Sequence, residues 1–134
     1  MDQTTTAEAE AEVAQLVSEL IAIDSSNFGN DEGPGEAAAA DYVQQRLLEV
    51  GLDSERFSTT SDRRQGVYLR IPGKNPERKA LLLHGHLDVV PAPEPDWVHP
   101  AFSGVIDDAG MLWGRGAVDM KDMDGMMLAV IRQW

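Results

Sequence analysis

Two quoted runs decide how this chain is read: ALLLHGHLDVVP at Ala80–Pro91 and MLWGRGAVDMKD at Met111–Asp122. The first begins with an uninterrupted apolar run, Ala80-Leu81-Leu82-Leu83, bounded by a charged turn before it and by Pro91 after it. That pattern predicts a strand buried on both faces, as in a mainly parallel sheet covered by helices. The run then delivers His86 and Asp88 two residues apart. Side chains at i and i+2 of an extended segment share a side, so an imidazole and a carboxylate can meet there. The second run bends through Gly114-Arg115-Gly116 and presents Asp119 where a helical pattern starts. Sites of open α/β sheets gather beyond the carboxyl ends of strands, which is where these residues fall.

Each residue also has a plainer explanation. An H-x-D triplet is commonly a surface hydrogen bond, and Asp at a helix start is commonly an N-cap. A cap and a metal ligand are not exclusive, because the second carboxylate oxygen stays free. His84 reads as a strand-end histidine, although an H-x-H metal pair with His86 is a competing reading. Arg115 and Lys121 read as solvated cations, Asp122 and Asp124 as first-turn helix acids, and His99 as part of a loop. Trp97, Phe102 and Trp113 read as packing anchors.

The flanks follow in order. Helical spacing from Thr6, its expected N-cap, buries Val13, Leu16, Val17, Leu20 and Ile21. Asp24–Gly35, DSSNFGNDEGPG, is a loop with no surviving period and reads as a solvated connection. A second helix over Glu36–Val50 places Ala40, Val43, Leu47 and Val50 on its buried stripe, with Gly51 at the left-handed C-terminal position. Short strands are expected at Asp53–Ser58 and Gln65–Ile71. Pro91–Asp108 holds four prolines and reads as an ordered loop. Val105–Trp113 reads as a hairpin around Asp107–Gly110. From Asp119 the stripe Met123, Met127, Val130, Ile131 and Trp134 predicts a third helix that is still running at the last residue. No internal repeat is visible. The expectation is an α/β fold with helices on a mixed, mainly parallel sheet, residues 1–134 forming the front portion of an incomplete domain.

Composition narrows the chemistry. The 134 residues carry 23 acidic and 11 basic side chains, a net charge of −12, which disfavours nucleic acid and anionic membrane surfaces. There is no cysteine, so any metal must sit on His, Asp or Glu. The first twelve residues lack the basic and apolar regions of a secretion signal, no run is long enough to span a bilayer, and cytoplasm is the default expectation.

Taken with their flanks, HGHLDVVP and GRGAVDMKD resemble the di-zinc exopeptidase and deacylase family of aminoacylase, acetylornithine deacetylase, succinyl-diaminopimelate desuccinylase and bacterial glutamate carboxypeptidase. The resemblance is specific over about Leu82–Gly125. It implies that His86 ligates one zinc, that Asp88 orients His86, and that Asp119 bridges two zincs, with the Asp119–Met120 peptide bond typically cis. It implies hydrolysis of N-acyl amino acids or short peptides by a metal-activated water, with Co2+ or Mn2+ as alternatives to Zn2+. In that family the general-base glutamate, the other ligands and a dimerisation domain come later than Trp134, so these residues would form half a site and the complete parent a homodimer. A competing reading is a non-catalytic truncated homologue or association module.

Overall fold

A computed structural model describes residues 3–58 and 60–134, with side chains from Thr6 onward. In chain order it holds α1 (Gln3–Ile21), α2 (Ala37–Leu48), β1 (Glu55–Ser58), β2 (Gln65–Tyr68) and α3 (Lys121–Arg132). Three helices and a two-stranded sheet make a small α/β unit, in keeping with an incomplete domain.

Helix α1 buries Leu16, Val17, Leu20 and Ile21, four of the five residues its spacing selects; Val13 packs on the core edge. Helix α2 buries Ala40 and Leu47 and ends earlier than expected, leaving Val50 40% exposed. Gly51 then takes the left-handed conformation, φ +78°, that its position called for. Strands β1 and β2 pair antiparallel, Glu55 opposite Tyr68 and Ser58 opposite Gln65. The core is a cluster of Ala9, Leu16, Leu47, Leu128 and Ala129, closed by Tyr42, Val43, Leu52 and Val67 from α2 and the sheet side.

Helices α1 and α3 pack on each other at Gly125. A Cβ there would lie 2.3 Å from a methyl of Val17, so a hydrogen at this position sets how near the two helices come. The buried face of α3 is Lys121, Asp124, Gly125, Leu128 and Ala129. This is an i, i+3, i+4, i+7, i+8 stripe, but not the one predicted. Of the predicted stripe, Met123, Val130 and Trp134 are 45, 42 and 77% exposed. Two ionisable residues on the inner face misled the phase, because polar side chains are normally assigned to water. The helix also closes at Arg132, with Gln133 as its C-cap.

The run at Ala80–Leu83 departs furthest from expectation. It has no ladder partner among the described residues, and Leu81, Leu82 and Leu83 are 83, 78 and 47% exposed. A strand buried on both faces needs strands about 4.8 Å away on its two edges and helices over both faces. The only ladder among the described residues is β1–β2, and parallel pairing is confined to one bridge, Ser26 with Val89. The hairpin reading fares better: Ile106 and Leu112 form an antiparallel bridge, and Asp107 Oδ1 accepts from the amides of Ala109 and Met111. No helix among the described residues is long and apolar enough to cross a membrane.

Candidate metal site

Residues 87–89 are held beside the segment that follows α1. Val89 N donates to Ser25 O at 3.1 Å, Asn27 N donates to Val89 O at 2.8 Å, and Ser25 Oγ donates to Leu87 O at 2.6 Å. The loop that reads as a solvated connection is therefore part of the site: Ser25 and Ser26 are buried, and Asn27 stands next to Asp88. On the facing side the chain turns at Gly114 and Gly116, whose φ values of +148° and +90° L side chains rarely adopt. Arg115 N donates to Ala101 O at 2.7 Å and Lys121 N to Gly116 O at 2.9 Å. The Asp119–Met120 bond is cis, as the resemblance implies.

The three predicted residues meet on one cleft of about 300 Å³, lined by Asn27, His86, Asp88, Arg115 and Asp119 among others. His86 Nε2 lies 3.1 Å from Asp119 Oδ1. Its Nδ1 lies 3.0 Å from Asp88 O and 3.3 Å from Asp88 Oδ1. Burial would lower the imidazole pKa, but the hydrogen bonds and charges of Asp88 and Asp119 outweigh it and raise it above the usual value. The Asp119 side chain is 87% exposed and makes no capping bond; the N-cap of α3 is Met120. The capping explanation for Asp119 thus fails, since its carboxylate is turned to the imidazole. His84 is exposed and does not line the cleft, which removes support from the H-x-H reading.

Donor chemistry at the cleft fits a divalent cation. One imidazole nitrogen and one carboxylate oxygen converge, and the other ring nitrogen is held by an acid, which is how metal-bound histidines are oriented. Donor number does not suffice: among the described residues no cluster of three or more His, Asp or Glu could hold a metal ion, while a tetrahedral site needs about four ligands.

Behind the cleft lie Lys121, read as a solvated cation, and Asp124, which is the first-turn helix acid expected. Lys121 is 0% exposed, and its ammonium donates to Leu20 O at 2.8 Å and Ile23 O at 2.7 Å. It caps the end of α1, where carbonyls otherwise lack partners. Burial pushes its pKa down to about 8, with Asp24 and Asp124 opposing. Asp124 is 8% exposed, and its Oδ2 has no hydrogen-bond partner. Burial pushes its carboxyl up to about 7, against the pull of His86 and Lys121. Sequence reasoning missed the burial of both, and the only signal was their spacing on the inner face of α3. It also missed Asn27 and Arg64, which no motif marks. Of the aromatic residues read as anchors, Trp97 carries the Arg115 guanidinium 5.1 Å from its ring, whereas Trp113 is 38% exposed and its Nε1 donates to Asp107 at 2.8 Å.

Comparison with known proteins agrees with this picture. Residues 82–134 match the model of Peptidase family M20/M25/M40. The chain is 34% identical over 100 residues to an aminoacylase-1 of Sus scrofa, covering 75% of this chain and 24% of the relative. It is 45% identical over 101 residues to a succinyl-diaminopimelate desuccinylase of Methylorubrum populi, covering 72% and 25%. The desuccinylase of Methylorubrum extorquens is 44% identical over the same length and shares. The chain spans about a quarter of the length of these curated relatives. By motif, by family match and by relatives, this chain is similar to the M20 exopeptidases and deacylases over an N-terminal region of their sequence.

Proposed function

We propose that residues 1–134 are the N-terminal part of the catalytic domain of a metal-dependent hydrolase that cleaves the amide bond of N-acyl amino acids or short peptides. The observation that carries this is the convergence of His86 Nε2 and Asp119 Oδ1 at 3.1 Å, with Asp88 behind the other ring nitrogen. His86 and Asp119 would hold the metal, with Asp119 as the bridge if two ions bind. A bound zinc, cobalt or manganese ion would supply Lewis acidity and an activated water for the hydrolysis. Asp88 keeps the Nδ1 proton in place, so that Nε2 offers its lone pair to the cleft. Arg115 brings a fixed positive charge to the cleft wall, suited to the carboxylate of an acylated amino acid. The general base and the remaining ligands are assigned to sequence other than these residues, so this chain alone binds metal weakly and does not turn over.

Zinc titration by calorimetry, with an assay on a panel of N-acyl amino acids, tests the reading. Weak binding that disappears in both His86→Ala and Asp119→Ala, with no turnover, is the expected result. Tight two-ion binding with turnover would sink the half-site account. Binding untouched by either substitution would sink the ligand assignment.

A further inference from the structure

We infer that Asn27 and Arg64 are positioning residues for His86, acting through Asp88 to set which imidazole nitrogen faces the cleft. The inference rests on the proposed reading of His86 as a metal ligand. It starts from the Asn27 side-chain amide, whose neighbours have unambiguous chemistry. Asn27 Oδ1 receives Arg64 Nη2 at 2.7 Å and the Gly29 amide at 2.9 Å. Both are donors only, so the oxygen of the Asn27 amide must face them. Its nitrogen is thereby turned to Asp88, and Nδ2 donates to Asp88 Oδ2 at 2.8 Å.

One oxygen of Asp88 is now committed, and the carboxylate is held in its acceptor form. Its other oxygen, with the Asp88 carbonyl, stands 3.3 and 3.0 Å from His86 Nδ1. Both are acceptors, and so is Asp119 Oδ1 at 3.1 Å from Nε2; two acceptors at Nδ1 against one 87% exposed carboxylate at Nε2 favour the hydrogen on Nδ1. The polarity of each bond from the guanidinium to the Asp88 carboxylate follows from Arg64 and the Gly29 amide having no acceptor to offer.

Arg64 is itself fixed from two other sides. Nη1 pairs with Glu36 at 2.7 Å and Nε lies 3.4 Å from Asp31, and only 12% of the side chain is exposed. A guanidinium just before β2, an acid at the N-terminus of α2 and the 27–31 loop thus converge on one amide. A planar fork with several donors suits this role, and a lysine could not replace all three bonds.

The test uses the metal-free 134-residue chain with 15N-labelled histidine, observed above the imidazole titration range, where the two neutral tautomers give distinct two-bond nitrogen–proton patterns. The unvaried chain is expected to show His86 mainly as the Nδ1–H form. Asn27→Asp keeps the shape but removes the donor, and Arg64→Gln removes the cation. Both should convert His86 to a tautomer mixture or to the Nε2–H form, with Arg64→Lys intermediate. Arg78→Gln, at an exposed position away from Asp31 and Asn27, should change nothing. Backbone amide spectra report whether each variant stays folded; Asn27→Ser serves if Asn27→Asp does not. A His86 tautomer unchanged in the folded Asn27 and Arg64 variants overturns the inference, whatever the metal does. Zinc calorimetry in parallel should show about a 10–100-fold affinity loss in both variants, as for other groups that orient metal-bound histidines. A tautomer change together with zinc binding that His86→Ala leaves untouched would support the positioning role and refute the metal reading alone.

Discussion

Replacing Asp124 with asparagine should change stability in opposite directions in acid and near neutral pH. Asp124 is 8% exposed, and its carboxyl is raised from the ordinary 3.8 to about 7. Between those values the folded chain keeps a proton that the unfolded chain has lost. Stability is therefore fully present below the unfolded value and is lost as pH rises through the folded one. Three pH units at about 1.36 kcal/mol each make the ionised carboxylate cost about 4 kcal/mol once pH exceeds 7. An asparagine side chain cannot ionise, but its amide would bring donors to a place where Oδ2 already lacks a partner, at about 1–3 kcal/mol. The variant should thus be about 1–3 kcal/mol more stable than the unvaried chain near pH 7.5 and about 1–3 kcal/mol less stable near pH 3, below the unfolded carboxyl's value. Urea unfolding followed by circular dichroism at a series of pH values measures this directly. A stability difference of one sign and size at all pH values would refute the reasoning, because Asp124 would then ionise like a surface carboxylate.

Lys121→Met keeps the stem of the side chain but removes the ammonium from Ile23 O and from Leu20 O, which keeps only the Ile23 amide at 3.2 Å, and should cost about 1–3 kcal/mol in urea unfolding; a neutral or stabilising result would mean that burying the ammonium outweighs its bonds. Gly125→Ala pushes a methyl to 2.3 Å from Val17 and should destabilise by about 1–3 kcal/mol, with Val17→Ala restoring part of the loss in a double-mutant cycle. Tyr42→Phe removes the bond that Tyr42 donates to Glu19 at 2.7 Å, the main cause of the lowered Glu19 pKa. A depressed carboxylate stabilises above its unfolded pKa and loses that contribution as pH falls through the folded value. The variant should therefore lose about 1 kcal/mol at neutral pH and less in acid, as thermal melts at the two pH values would register.

How far the candidate site was legible depends on what kind of information each residue carries. Extended backbone was enough to put His86 and Asp88 on one side, but their meeting with Asp119 was implied only by the resemblance that HGHLDVVP and GRGAVDMKD carry. Asn27 and Arg64 lie 61 and 24 positions from Asp88 and belong to no local pattern. Only the parallel bridge of Ser26 with Val89, and the placing of β2 beside α2, bring them to it. Lys121 was misread for a different reason, while Asp124 is the first-turn helix acid expected but is buried. Charge predicts exposure on average, and for Lys121 that prior fails because backbone carbonyls at the end of α1 supply the partners that water would otherwise give.

The helices were set by local rules: the period of apolar residues selected α1 and α2, and Gly51 ended the second as its position foretold. The type of chemistry at the cleft was also set locally, by an imidazole and carboxylates in a chain without cysteine. Tertiary structure alone decided which face of α3 is buried, since Gly125 against Val17 outweighed the methionine stripe. It alone decided that Leu81, Leu82 and Leu83 stay exposed, because a buried strand is made by its neighbours and none lies beside that run among the described residues. Period and propensity act within a turn or two of chain, whereas burial is a property of what packs from elsewhere.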